Sequence, residues 1–116
     1  MKSYKDLIVW QKSVELVTQT YILTTSFPDE EKFGLTSELK RSVISVPSNI
    51  AEGYGRKYTK DYIRFLQIAR GSLFESQTQL EIAFRLKFVS QEEAIKINEL
   101  SLEIEKMLNS LINKLG

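Results

Sequence analysis

The sequence has no cysteine and no histidine. Without cysteine there is no disulfide, no thiol nucleophile and no Cys-ligated zinc. Without histidine the chain lacks the one side chain that normally titrates near neutral pH and the commonest transition-metal ligand. An enzyme made from these residues would have to work with carboxylates, Lys, Tyr or Ser alone. With 2 Pro and 5 Gly in 116 residues, long disordered or collagen-like stretches are not expected. No segment approaches the roughly 20 apolar residues of a membrane span. The longest early apolar run is only Leu7 to Trp10, just after Asp6, so no secretory signal pattern is visible and the expected location is the cytoplasm. A large excess of one charge is also lacking: 16 basic residues face 15 acidic ones, for a net charge of +1. A chain basic throughout would point to nucleic acid, and this total does not.

What is present is helical periodicity. The length suits one domain, 1–116. Leu7, Trp10, Val14, Val17 and Tyr21 are spaced by three and four, which predicts a first helix over about 7–25. Phe27-Pro28 stops it, because the residue before Pro is pushed out of the helical region. Thr36 is the expected N-cap of a second helix, 36–53, whose inner stripe is Leu39, Val43, Val46 and Ile50. Pro47 lies within it and removes one helical donor, so this helix is expected to be kinked there. Ser48 and Asn49 follow the proline and are expected to serve the carbonyl it frees. Gly53 and Gly55 end the helix.

Thr59 opens a third helix, 59–87, with Tyr62, Leu66, Ala69, Leu73, Leu80 and Ala83 on one face. Ser90 and Glu93 have the spacing of a capping box and start a fourth, 91–114, with Ala94, Ile97, Ile104, Leu108, Leu111 and Leu115 inward. Glu92 and Lys96 are placed for an i,i+4 ion pair. No strand-like alternation appears. The expected fold is all-α, an antiparallel up-down four-helix bundle with a kinked second helix.

Two helices carry apolar residues beyond these stripes. Val9, Leu16 and Leu23 recur every seven residues on the first, away from the Leu7–Val14–Tyr21 line. Ile63, Ile68, Phe74 and Ile82 fall off the stripe of the third. The plain reading is good coverage inside the bundle; the sharper one is a subunit interface through Val9, Leu16, Leu23, Ile63 and Phe74.

Charge is unevenly spread. Residues 40–70 hold seven basic side chains (Lys40, Arg41, Arg56, Lys57, Lys60, Arg64, Arg70) against Glu52 and Asp61, while both flanks are net acidic. Tyr54, Tyr58 and Tyr62 are interleaved with them. Cations beside aromatics suit phosphate contact with base stacking. The candidate nucleic-acid contacts are Arg41, Arg56, Lys57, Lys60 and Arg64, with Tyr54 and Tyr58 for stacking. The alternative is a solvated turn. Arg41, Ser45, Ser48 and Glu52 line the second helix opposite its apolar face, with Ser42 and Asn49 beside them, but a serine without a nearby base is inert. Their expected role is close helix packing, and no catalytic residue, metal or cofactor is expected.

Ser45 to Gly53 reads SVPSNIAEG, preceded by GLTSELKR from Gly34 to Arg41. With DLIVWQKSVEL from Asp6 to Leu16, Phe27-Pro28, and ARGSLFESQTQL from Ala69 to Leu80, the chain closely resembles the bacterial 23S rRNA-intervening-sequence proteins. The family often has an acidic-then-aliphatic pair after GSL-x, where this chain has Glu75 followed by Ser76. The resemblance implies an all-α bundle assembling into a ring-like homopentamer. It also implies a gene often lodged in an intervening sequence of the large ribosomal RNA gene, and an unsettled role. Related accessory proteins of diversity-generating retroelements bind nucleic acid and a reverse transcriptase through a strongly basic surface. The expected partners are copies of the chain and RNA or a nucleic-acid-processing protein. The alternative is a scaffold that recruits a protein without nucleic acid.

Overall fold

The computed structural model describes residues 2–116, and among them it contains four α-helices and no strand. They are α1 (Ile8–Thr24), α2 (Leu35–Tyr54), α3 (Thr59–Arg85) and α4 (Gln91–Leu115). A single 3₁₀ turn precedes each of the first two, Tyr4–Asp6 and Asp29–Glu31.

Local chemistry sets each end. Ser3 and Asp6 cap the first turn reciprocally, the Ser3 Oγ accepting from the Lys5 amide at 3.0 Å and the Asp6 carboxylate accepting from the Ser3 amide at 3.2 Å. At the end of α1, three successive hydroxyls donate back to the last carbonyls: Thr24 to Tyr21, Thr25 to Ile22 and Ser26 to Leu23. They satisfy acceptors that a helix end leaves without intrahelical donors. Phe27 then turns inward against Phe88, with ring centroids 5.6 Å apart, which ties the α1–α2 loop to the α3–α4 loop.

The start of α2 differs from the expected Thr36 cap. The helix begins at Leu35, whose amide donates to the Glu31 carboxylate at 3.0 Å. Thr36 is buried inside the first turn and its hydroxyl has no partner. The longer glutamate reaches back from the preceding turn and does the capping. At α4 the Ser90–Glu93 box forms in both directions, at 3.1 and 3.0 Å. Glu92 and Lys96 do not close an ion pair among the described residues. The end of α3 falls at Arg85, and Lys87 adopts φ 65°, with the Phe88 amide returning to the Ala83 carbonyl at 2.9 Å. That left-handed position is usually glycine's.

The helices run up and down in turn. Ser42 pairs with Gln79 and Ser45 with Ser72, so α2 and α3 are antiparallel. Arg70 pairs with Asn109 and Gln77 with Ser101 and Glu105, so α3 and α4 are too. Each helix packs its backbone on two neighbours, and the diagonal pairs α1–α3 and α2–α4 bring no Cα atoms within 8 Å of each other.

The inner stripes of α2, α3 and α4 are those read from periodicity. Leu39, Val43, Val46, Ile50, Leu66, Ala69, Leu73, Ile104 and Leu108 are at most 1% exposed. The stripe of α1 is a correction. Val9, Leu16 and Leu23 are 5%, 1% and 6% exposed and lie in the core, whereas Val14 and Tyr21 are 37% and 39% exposed. The buried line is completed by Ser13 and Thr20. Leu7, Trp10 and Val17 of the expected stripe do pack half-buried against the core, but Ser13 and Thr20 interrupt the apolar count of the more deeply buried line. Ser13 hides its hydroxyl by donating to the Val9 carbonyl at 2.6 Å.

Pro47 is buried and α2 runs unbroken through it. The carbonyl it frees is that of Val43, but Ser48 donates to Ile44 and Asn49 to Ser45. A side chain bonding one turn back reaches the carbonyl four residues before itself, so neither residue is in register with Val43.

Gly53 does not stop α2, which continues to Tyr54 with Gly55 after it. Its lack of a side chain allows a close helix crossing. A Cβ at Gly53 would lie 2.8 Å from the Phe65 Cβ and 3.1 Å from the Tyr62 carbonyl oxygen. The Tyr62 Cδ1 is also 3.1 Å away, so three α3 atoms, one of them backbone, would have to give. Gly53→Ala is therefore expected to cost about 1–3 kcal/mol by overpacking. Lys87→Gly relieves a left-handed backbone and should gain up to about 1 kcal/mol. Urea unfolding of both variants checks the opposite signs.

Candidate nucleic-acid interface

The crossing at Gly53 fixes how the α2–α3 turn leaves the bundle. The turn is Gly55 to Tyr58, and its cations spread onto the flanking helix ends. Arg56 sits 3.3 Å from Glu52, and its guanidinium lies over the Phe65 ring at 4.6 Å. The Arg64 guanidinium lies over the same ring at 4.9 Å. Two like charges thus converge on one aromatic, and only Arg56 has a carboxylate partner among the described residues. Lys57 and Lys60 are exposed and unpaired, with Lys57 over the Tyr58 ring at 5.6 Å. Such a cluster is ready to meet an anion.

The two candidate stacking residues separate. Tyr58 is 57% exposed and available. Tyr54 is half-buried and packs edge-on against Tyr62, centroids 6.1 Å apart, so its ring is partly spent inside. Burial of Tyr62, reinforced by neighbouring Tyr54, pushes its hydroxyl above the ordinary pKa of 10.0.

Arg41 does not belong to this cluster. It precedes Arg56 by fifteen residues on the helix and turn, about 22 Å at 1.5 Å per residue. It lies in a separate polar groove with Glu38 and Glu75. Lys40 and Arg70, also counted in the basic segment, are engaged elsewhere, over the Tyr21 ring at 4.7 Å and with Asn109 at 2.8 Å. Segment counting follows the chain, and on a helix the chain carries charge quickly away from the turn.

The same topology adds cations the count missed. In an up-down bundle the N-terminal turn and the C-terminus of α4 share an end with the α2–α3 turn. Lys2, Lys5 and Lys114 are exposed there, on the segments that open and close the chain. The Tyr4–Asp6 turn packs against α2 directly. No motif marks these lysines; only the antiparallel order assigned in the sequence could have placed them. At the opposite end the Asp29–Glu31 turn and the start of α4 bring Asp29, Glu30, Glu31, Glu92 and Glu93 against Lys32 and Lys87, an acidic excess. The bundle is therefore polarised along its length.

The serines of α2 are structural. Ser42 donates to Gln79 at 2.7 Å, and the Ser45 and Ser72 hydroxyls are 2.8 Å apart, with Asn49 donating to Ser45. Among the described residues no group of three or more His, Cys, Asp or Glu could hold a metal ion. No helix is long and apolar enough to cross a membrane. Of the interface candidates, Val9, Leu16 and Leu23 are core residues and cannot form a surface. Ile63 is half-buried and Phe74 is 44% exposed.

The fold and its ends define an up-down four-helix bundle with one basic and one acidic end. The chain belongs to the 23S rRNA-intervening sequence protein family, whose model matches residues 5–110. It is similar to a crystal structure, at 1.70 Å resolution, of a protein of unknown function from the S23 ribosomal protein family of Bacteroides thetaiotaomicron. The two share 29% identity over 90% of this chain and 98% of that one, with a TM-score of 0.82. No curated protein matches in sequence.

The raised Tyr62 hydroxyl has a consequence for the basic end. The folded state holds that proton more tightly than the unfolded chain does, so its contribution is complete below the ordinary tyrosine value and is lost as pH rises through the folded value. Tyr62→Phe should flatten the fall in urea midpoint above about pH 10, relative to wild type. Urea titrations across that range check it.

Proposed function

We propose that the protein is a non-enzymatic, homo-oligomeric bundle that binds RNA weakly through its basic end. The observation that carries the RNA reading is the convergence of Arg56, Lys57, Lys60 and Arg64 at one end, with Lys2, Lys5 and Lys114 on the same end and Tyr58 exposed among them. The net charge of +1 favours salt-sensitive phosphate contact over tight sequence readout. In a ring the basic ends would repeat, and weak contacts would add through multivalency.

The outer face of α3 supports the oligomer. Ile68 and Ile82 are each 42% exposed and flank Gly71 on one helical face, with Phe74 beside them. A Cβ at Gly71 would meet nothing within 4 Å. A glycine in an exposed helix interior costs about 1 kcal/mol against alanine, and nothing in this chain uses the space it leaves. A neighbouring copy's helix would use it. The ring of five comes from the family resemblance, and a cytoplasmic location is part of the same proposal.

Retention of single-stranded polyuridylate RNA on filters should fall steeply with salt, as counterion release requires. The triple reversal Arg56→Glu, Lys57→Glu, Lys60→Glu should abolish it, while Arg41→Glu should leave it nearly intact. No retention by wild type at about 50 mM salt would replace the RNA reading with that of a protein scaffold. For assembly, Ile68→Asp with Ile82→Asp should dissociate the oligomer in sedimentation while helicity is kept, because both side chains are already exposed in the single chain. A wild-type monomer at micromolar concentration would refute the oligomer.

A further inference from the structure

Asp6 to Val9, at the entry to α1, and the last turns of α4 from Lys106 to Lys114 border a shallow, open depression of about 500 Å³. Its floor is apolar: Leu7, Met107 and Leu111 are half-buried, and Ile8 is 60% exposed. Lys106 and Lys114 form the α4 rim, eight residues apart, or about 12 Å along the helix. The one carboxylate in the lining, Asp6, already accepts from the backbone amides of Lys2 at 2.9 Å and Ser3 at 3.2 Å. Two lysines against this one carboxylate leave the lining with a formal charge of +1. Farther along the same seam, the Lys12–Glu103 ion pair at 3.0 Å bridges α1 to α4.

We infer that this groove docks an acidic amphipathic helix of a partner protein. A slot between two antiparallel helices with an apolar floor receives the apolar face of a third helix, read as anchors at i, i+3 or i+4, and i+7. The methionine gives the floor an adaptable surface. Lys106 and Lys114, about 12 Å apart along α4 and about 80° apart around it, select carboxylates on the incoming helix, and this charge complementarity sets its identity. RNA would satisfy the lysines but would leave Ile8, Leu7 and Met107 without a partner. The inference shares Lys114 with the RNA reading but does not rest on the α2–α3 turn or Tyr58, and those are what the turn variants change.

The test uses the full chain and a labelled helical peptide of about 15 residues, with Leu at i, i+4, i+7 and i+11 and Glu flanking that face. Fluorescence anisotropy should show saturable binding. A scrambled peptide of equal composition should bind at least about tenfold more weakly, a difference of about 1.4 kcal/mol. Ile8→Asp should reduce affinity by a similar factor. Its side chain is mostly exposed, so folding is expected to persist, and circular dichroism verifies it. The double reversal Lys106→Glu, Lys114→Glu should weaken the Glu peptide and strengthen a matched peptide carrying Lys instead. That charge swap carries the test even if Ile8→Asp unfolds. Equal binding of the scrambled peptide, or no response to the charge swap, overturns the inference. So does dissociation of the oligomer by Ile8→Asp, which would assign the groove to a second copy of this chain. Loss of RNA retention in the turn variants with peptide binding unchanged would separate this site from the basic end.

Discussion

The close crossing of α2 on α3 is the constraint on which the rest of the structure depends. Gly53 brings the helix backbone to within a methyl group of Phe65 and Tyr62, and the hydroxyls of Ser42, Ser45 and Ser72 fill the remainder of the contact. Small residues let two helices approach; a larger residue at Gly53 would push them apart, whereas the serines border the polar groove beside the crossing. Polar groups at such a contact are tolerated because each finds a partner across it or one turn back. The SVPSNIAEG segment is best understood in these terms. Its Val46 and Ile50 fill the core, while Ser45, Asn49 and Gly53 belong to the crossing.

The crossing also determines the electrostatics. Because α2 and α3 meet tightly at their joined ends, the connecting turn is short and its cations cannot disperse. Phe65, pinned beneath Gly53, becomes the platform for both Arg56 and Arg64. Packing and charge placement are thus one feature: the glycine that admits Phe65 also sets where two guanidinium groups lie. The opposite end is closed differently, by the Phe27–Phe88 contact between two loops, and there the acidic residues collect.

Most of the fold was legible in the sequence. Three apolar stripes, the Ser90–Glu93 box and the stop at Phe27-Pro28 are local signals with local causes, and all appear in the structure. The stripe of α1 was not legible by counting apolar residues, since Ser13 and Thr20 occupy core positions and Val14 and Tyr21 do not. That misassignment moved Val9, Leu16 and Leu23 to a surface they do not have. The basic turn was visible as a charge excess, but Arg41 and Arg70 were grouped with it because sequence proximity is not proximity along a rigid helix. Lys2, Lys5 and Lys114 carry no local signal for the converse reason: only the antiparallel order of the helices, itself expected from the sequence, brings the two ends of the chain to the turn. Gly53 resembled a helix stop because glycine ends helices more often than it admits a neighbour.

The central claim is that this crossing builds an anion-binding end from parts remote in sequence. Its most direct test is a backbone amide NMR titration of the protein with a short oligouridylate at low salt. The account requires shifts clustered at Lys2, Lys5, Arg56 to Arg64 and Lys114, with the Asp29–Glu31 turn and Arg41 silent. Shifts centred on Arg41 and the α2–α3 serine groove, or no localised shifts, would contradict it.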